Sequence, residues 1–139
     1  MRRLTILLMF LAVSLLALAQ ESRPFDVTIS SEEHKISIRM NLYDKNVSVP
    51  GQDVLGAVDG YFYSSQSRNI WLIVDSRITG KNTAEIEVIN DYGSEDFTAV
   101  IKHNADGTYS YRKKGGSTLK FGVRGKWQKL PGAFVLREK

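Results

Sequence analysis

The chain has 139 residues, of which 42% are hydrophobic and 24% are charged, and its formal net charge is +4. These values fit one globular domain of ordinary size. Cysteine is absent, which excludes disulfides, thiol catalysis and cysteine-based metal sites, and leaves no acceptor for a lipid anchor.

The N-terminus has the three parts of a secretory signal peptide. Met1-Arg2-Arg3 is basic, an apolar run extends from Leu4 to Leu18, and Ala17-Leu18-Ala19 offers small residues for cleavage. The apolar run has about 15 residues, short of the roughly 20 that a membrane-spanning helix needs, although a retained membrane anchor is the alternative. We therefore expect residues 1–19 to be a secretory signal peptide, and the mature protein to be periplasmic or secreted.

Alternation of apolar and polar residues predicts short strands in the chain that follows, which we expect to be a single all-β domain over residues 20–139. Residues 25–30 and 34–43 predict a hairpin, and a short strand at 47–49 comes next. Residues 54–59 fit a helical turn, a bulged strand or a loop over the mouth of the fold.

The stretch from Asn69 to Arg112 is the most regular part of the pattern. Residues 70–74 form a continuous apolar run, which is typical of a strand covered on both faces. Alternating strands are expected around 84–88 and 97–102, and Asp106-Gly107 is the strongest hairpin signal in the chain. Shorter strands should follow up to the C-terminus.

About ten or eleven strands with hairpin spacing indicate an antiparallel meander that closes on itself to protect its edges. We expect the last eight strands, from Gly60 onward, to form the barrel wall, with the N-terminal hairpin covering an opening or extending the sheet. This strand count and connectivity resemble a lipocalin-like barrel, although the Gly-x-Trp pattern of that family occurs here as Gly125-Lys126-Trp127, near the other end of the chain. A two-sheet β-sandwich is the alternative.

Large aromatic rings near basic side chains form the predicted ligand-binding surface. Tyrosines two apart on one strand face make a flat amphipathic platform, which stacks on sugars or lines an apolar pocket. The same rings also suit a core or cross-strand pairs. The predicted ligand-binding residues are Tyr61, Tyr63, Trp71, Tyr109, Tyr111, Arg112, Lys113 and Lys114.

Charge is distributed unevenly along the chain. Residues 20–101 carry seven Lys and Arg against 13 Asp and Glu, whereas residues 102–139 carry ten against two. This asymmetry predicts either a basic surface that binds an anionic polymer or an ordinary solvated rim of Lys and Arg. Export argues against nucleic acid as the partner.

No catalytic motif stands out in the sequence. His34 and His103 lack the spacing of metal ligands, and no Ser lies in a Gly-x-Ser-x-Gly pattern. Asn90–Asp96 groups several hard oxygen ligands, either for an ion or as turn caps, but its spacing does not match a calcium loop. We predict no catalytic residue, no metal site and no cofactor.

These observations predict a non-enzymatic binding protein. The leading hypothesis is a small apolar or glycan ligand at an aromatic-lined barrel mouth. The alternative is a protein–protein interaction module, such as an inhibitor or adaptor, that acts through an exposed loop or strand edge. A cavity lined by Tyr61, Tyr63 and Tyr109 would favour the ligand, whereas a filled interior with a flat exposed patch would favour the protein partner.

Overall fold

The computed structural model describes residues 22–52 and 54–139, so the predicted signal peptide lies outside the described residues. The described chain is all-β and contains no helix that is long and apolar enough to cross a membrane. Its strands are β1 (Asp26–Ser31), β2 (Ile36–Asn41), β3 (Gly60–Ser64), β4 (Ile70–Ile78), β5 (Thr83–Asn90), β6 (Asp96–His103), β7 (Tyr109–Gly116), β8 (Lys120–Val123), β9 (Lys126–Lys129) and β10 (Ala133–Glu138).

Eight of these strands form a closed antiparallel barrel in the order β1-β10-β7-β6-β5-β4-β3-β2, and β8 and β9 form a separate two-stranded sheet. The barrel closes where β1 meets β10, through the pairs Ile29 with Glu138 and Ser30 with Arg137. The prediction of an all-β antiparallel barrel is confirmed, and the sandwich alternative is not the fold. Closure leaves the sheet without a long free edge.

The expected membership of the barrel wall was wrong. The N-terminal hairpin β1–β2 belongs to the wall, and β8–β9 does not. Strands β1 and β2 have six residues each and bury alternate apolar side chains, whereas β8 and β9 have four residues each and every side chain of β9 is exposed. Strand β9 therefore has no buried face to contribute to a wall whose inner side chains form the core.

Side chains from the wall strands fill the barrel interior. Phe62 on β3 lies near the middle, with its ring centroid 6.1 Å from that of Phe97 and 6.0 Å from that of Tyr111, both edge-on. The same buried cluster includes Ile29, Ile38, Met40, Trp71, Ile73, Ala84, Ile86, Ala99, Ile101 and Leu136. An eight-stranded barrel is just wide enough for side chains to fill it, so this interior is the hydrophobic core.

The β8–β9 hairpin closes one end of the barrel, which we call the closed end. Leu119, Phe121 and Leu130 from the hairpin and its flanks are buried in the same cluster as the wall residues. The backbone N–H of Gly122 also donates to Asn69 Oδ1 at 2.7 Å. The chain itself therefore covers this end of the barrel.

A loop between β2 and β3 covers the outer face of β4. Val47 and Val58 form an isolated bridge where a strand was predicted, and Val49, Val58 and Leu72 are buried together on that face. Buried Asp59 fixes the end of the loop, because it accepts a hydrogen bond from Ser76 Oγ at 2.5 Å. The predicted covering of this strand on both faces is thus confirmed at Trp71, Leu72 and Ile73, where Val58 and Asp59 of the loop lie against its outer face.

Candidate functional site

The structure separates the eight predicted ligand-binding residues into three places. Trp71, Tyr109 and Tyr111 are buried in the core. Tyr61 and Tyr63 lie on the outer face of β3, and the three basic residues lie toward the end of β7. The predicted combination of tyrosines and basic side chains in one site therefore does not form.

The buried tyrosines serve the core. The Tyr109 hydroxyl donates to the carbonyl oxygen of Pro24 at 2.6 Å, and the Tyr111 ring stacks on Phe134 with centroids 4.6 Å apart. Burial, with a smaller effect from the charge of Glu138, raises the pKa of Tyr109 to about 12, and burial also raises the pKa of Tyr111. Both rings are buried in the core, so neither presents an open face for a sugar to stack on.

Tyr61 and Tyr63 do form a pair of rings on one strand face, as their spacing predicted. Their centroids are 5.2 Å apart, and Lys139 Nζ lies 5.6 Å from the centre of the Tyr63 ring. Partial burial raises the pKa of Tyr61, and the neighbouring Tyr63 adds to the shift. The pair lies on the outer face of the barrel wall, so neither ring points into the interior.

The basic residues of β7 differ in their partners. Lys114 Nζ binds Glu85 Oε1 at 3.1 Å, and this hydrogen bond lowers the pKa of Glu85, aided by the charges of Lys114 and Arg77. Lys113 Nζ donates to the carbonyl oxygen of Gly116 at 3.3 Å. Arg112 is exposed, and no carboxylate in the described part of the chain forms an ion pair with it.

Two exposed aromatic side chains line one cleft at the closed end. Tyr92 is 82% exposed and Trp127 is 58% exposed, and both line one shallow cleft. The remaining lining residues are Asn69, Trp71, Asn90, Asp91, Glu95 and Lys120, and we call this surface the hairpin cleft. Large rings left in water beside polar groups are typical of surfaces that bind a partner with an apolar face and polar edges.

Side-chain caps hold the loop that carries Tyr92. Asn90 Oδ1 accepts hydrogen bonds from the backbone N–H groups of Ser94 at 2.9 Å and Glu95 at 3.2 Å, and Gly93 has a φ of 71°. Asn90 thus uses its amide oxygen to close the turn, whereas the capping interpretation had assigned that role to the carboxylates of this loop. The loop is ordered by its own contacts and presents the Tyr92 ring outward.

Trp127 is held on the hairpin by its neighbours on the same face. Gly122 is its cross-strand partner, and Lys120 Nζ lies 5.0 Å from the centre of its ring. The same Lys120 Nζ binds Glu95 Oε1 at 3.1 Å, which ties the hairpin to the loop of Tyr92. The ring is thus exposed but fixed, and a fixed platform costs little conformational entropy on binding.

Positive charge accumulates beside the Trp127 ring. Lys120 and Lys129 are directly opposite each other in the β8–β9 pairing, and Lys129 is two residues from Trp127 on the same strand face. Like charges in such a cross-strand pair repel. Glu95 neutralises Lys120, whereas no carboxylate among residues 22–52 and 54–139 pairs with Lys129.

The residues predicted to bind a ligand did not include Tyr92, Trp127 or Lys129. One signal for Trp127 was present, because Lys126, Gln128 and Lys129 leave it as the sole apolar residue of a four-residue strand. A lone ring in a polar strand has no apolar face to join and is expected to remain in solvent. No local signal places Tyr92 beside it, since the two residues meet only through the fold.

Both histidines pack against aromatic rings. His34 packs against Phe134 with ring centroids 5.1 Å apart, and His103 packs against Tyr109 at 4.8 Å. Within the described ranges, no group of three or more His, Asp and Glu is arranged to hold a metal ion.

No protein-family model, curated protein or solved structure matches this chain. The site must therefore be interpreted from its own residues.

Proposed function

We propose that this protein is an exported, non-enzymatic binding protein that holds an acidic glycan on the hairpin cleft. The proposal depends above all on the two exposed rings, Tyr92 and Trp127, at one shallow cleft. The likeness to a lipocalin-like barrel is limited to strand number and connectivity, because side chains fill the interior. The ligand accordingly lies outside the barrel, at the closed end.

Ring stacking supplies the affinity in this proposal. A pyranose has one face of C–H groups that packs on an aromatic ring, and hydroxyl groups around its edge that require hydrogen-bond partners. Trp127 and Tyr92 offer the rings, and Asp91 and Lys120 offer polar groups at the edge. The cleft volume is only about 20 Å³, which suits a chain of sugars lying across the surface and not an enclosed small molecule.

Charge determines which glycan is favoured. Lys129 is unneutralised beside Trp127, and no Asp or Glu occurs between Gly107 and Arg137 in the sequence. A carboxylate or sulfate on the sugar pairs with Lys129, because Lys120 already binds Glu95. An acidic polysaccharide therefore combines the two features of this surface, and export through the expected signal peptide gives access to such polymers.

Affinity electrophoresis through gels containing polygalacturonate tests the proposal, with dextran as the neutral polymer. We expect retardation in polygalacturonate, and an affinity at least tenfold lower for Trp127→Ala. Tyr92→Ala should weaken binding to a smaller degree, since one ring remains. The control is Lys81→Glu, which reverses the charge of one lysine at an exposed turn outside the cleft. Equal retardation of Trp127→Ala and the unmodified protein would overturn the proposal.

Export has its own test. Intact-mass measurement of the protein secreted from a bacterial host should give the mass of residues 20–139. A full-length mass in the membrane fraction would contradict cleavage after Ala19 and favour the retained anchor.

A protein partner at an exposed loop is the second candidate, favoured by the filled barrel interior and by the apolar tip of one loop. Val54 is 93% exposed and Leu55 is 48% exposed at the tip of the loop between β2 and β3. Gln52 orders this tip, because its side chain accepts from the Leu55 N–H at 3.1 Å and donates to the Gly56 carbonyl oxygen at 3.2 Å. An ordered loop that presents apolar side chains is a common docking element.

Site-specific photo-crosslinking separates this candidate from the first. A benzophenone amino acid at position 55 should give one discrete crosslinked protein in the native host, whereas the same group at position 81 should give none. Identical products from both positions would remove the loop hypothesis and leave the glycan proposal unaffected.

A further inference from the structure

We propose a second and independent binding site, which takes a small anionic amphiphile such as a long-chain carboxylate. It is a groove on the outer face of β6, β7 and β10, which we call the lateral groove. The residues that define it are Val100, Lys102, Arg112, Ala133 and Val135. The groove shares no lining residue with the hairpin cleft.

Strand register places these side chains side by side. Arg112 pairs with Val100 on one side and Ala133 on the other, and Ser110 pairs with Lys102 and Val135 in the same way. Their neighbours along the strands are buried in the core, so the members of these two rows lie on the outside of the barrel. Apolar and cationic groups thus alternate over a small area of wall.

Small side chains make the groove. Ser110 and Ala133 stand between larger residues, and the depression above them has a volume of about 510 Å³. That volume lies within the range of about 300–1,000 Å³ typical of small-molecule sites. The groove reaches Tyr111 and Phe134, whose rings stack in the core beneath it. An alkyl chain that enters it meets an apolar floor.

Exposed apolar surface in the groove gives the ligand its driving force. Val135 is 53% exposed, although its neighbours Phe134 and Leu136 on β10 are buried. Covering apolar surface of this kind yields about 25 cal/mol per Å² removed from water. A flexible alkyl chain is suited to a floor that is shallow and slightly twisted.

Two cations at the rim define the head group. Lys102 and Arg112 form no ion pair with a carboxylate in the described part of the chain. Glu85 is the cross-strand partner of Val100, but its carboxylate binds Arg77 at 3.3 Å and Lys114 at 3.1 Å. An anionic group on the ligand pairs with these two cations while its tail covers the floor, and the planar guanidinium of Arg112 suits a carboxylate.

The test uses 11-(dansylamino)undecanoate and its methyl ester as fluorescent probes on the purified protein. We expect saturable enhancement with the acid and at least tenfold weaker binding of the ester. Arg112→Glu and Lys102→Glu should each weaken binding of the acid at least fivefold and leave the ester nearly unchanged. Val135→Ser should weaken both probes, because it removes part of the floor.

Matched controls are Lys81→Glu for charge and Val54→Ser for exposed apolar surface, and neither should change the affinity. Thermal unfolding of every variant establishes that the barrel is intact. Equal affinities for acid and ester, no saturable binding of either, or unchanged acid binding in folded Arg112→Glu would each overturn the proposal. Arg112→Gln, which keeps the size and removes the charge, serves if the reversal fails to fold, and unchanged binding there has the same meaning.

Discussion

The indole N–H of Trp71 donates a hydrogen bond to the main-chain carbonyl oxygen of Lys120 at 2.9 Å, across 49 residues of sequence. Trp71 belongs to the wall strand β4 and is buried, whereas Lys120 begins the hairpin that closes the barrel. The bond satisfies a donor that would otherwise be buried without a partner. It also fixes the hairpin over the core, and with it the position of Trp127.

Replacing Trp71 tests this connection. Trp71→Phe removes the N–H and part of a buried ring, so we expect a loss of about 1 to 3 kcal/mol in the free energy of unfolding. Denaturant unfolding measures the loss, and amide exchange should quicken in residues 119–130. Trp127→Phe is the matched control, and because its ring is exposed it should change stability by less than about 0.5 kcal/mol. Equal losses in the two variants would contradict the arrangement.

Gly60 lies where the backbones of two wall strands leave no room for a side chain. A Cβ at this position would collide with the carbonyl oxygen of Arg39 and lie 2.9 Å from Met40 Cα, both in the neighbouring strand β2. Backbone atoms of a paired strand cannot move aside without breaking the ladder. Gly60→Ala should therefore destabilise the barrel by about 2 to 4 kcal/mol.

Gly132→Ala provides the comparison, because a Cβ at that position has no heavy atom within 4 Å. It should leave the midpoint of thermal unfolding nearly unchanged. A fall in the midpoint for Gly132→Ala that matches the fall for Gly60→Ala would show that the loss of glycine itself, and not the close approach, determines the effect.

Alkaline pH should weaken the fold through Tyr109. Its pKa is raised from 10.0 to about 12, so the folded chain holds the phenolic proton more tightly than the unfolded chain does. The resulting stability is complete below pH 10 and is lost as the pH rises through the folded-state pKa, at up to about 1.4 kcal/mol per pH unit. Tyr109→Phe should lower stability near neutral pH, because the bond to Pro24 is lost, and should make the decline above pH 10 shallower. Parallel curves for variant and wild type, from denaturant unfolding at each pH, would contradict this.

The strands were largely predictable because their signals are local. The alternating segments became strands β1, β2, β5 and β6, and the predicted Asp106-Gly107 turn has Gly107 at a φ of 87°. Local signals could not predict which strands belong to the barrel wall, because this depends on which strand closes against β1. Neighbouring residues at best indicate whether a strand has an apolar face for the core, which β9 lacks.

The sequence pattern did not predict which tyrosine pair faces the core and which faces solvent. Tyr61 and Tyr63 flank Phe62, whereas Tyr109 and Tyr111 flank Ser110. Only one face of a wall strand enters the core, and the more apolar set takes it. Phe62 points inward and leaves its tyrosines outside, whereas Ser110 points outward and leaves its tyrosines inside. The intervening residue carried this signal, but the identity of the rings alone did not.

The pair of Lys120 and Lys129 offers a way to separate ligand binding from stability. Because the two ammonium groups are cross-strand partners, Lys129→Glu replaces a repulsive pair with an attractive one. The free energy of unfolding should stay the same or rise by about 0.2 to 1 kcal/mol. Binding to polygalacturonate should fall at least tenfold, because the charge next to Trp127 is reversed.

Lys129→Gln divides this effect into its parts. It removes the positive charge without adding a negative one, so its affinity should lie between those of the unmodified protein and Lys129→Glu. Raising the salt concentration should weaken polygalacturonate binding more for the unmodified protein than for either variant. Salt screens the attraction between Lys129 and the anionic polymer but not the ring stacking. A Lys129→Glu variant that is destabilised and still binds normally would mean that Lys129 supports the hairpin and does not meet the ligand. A stable variant that no longer binds is the result expected if Lys129 contacts the ligand directly.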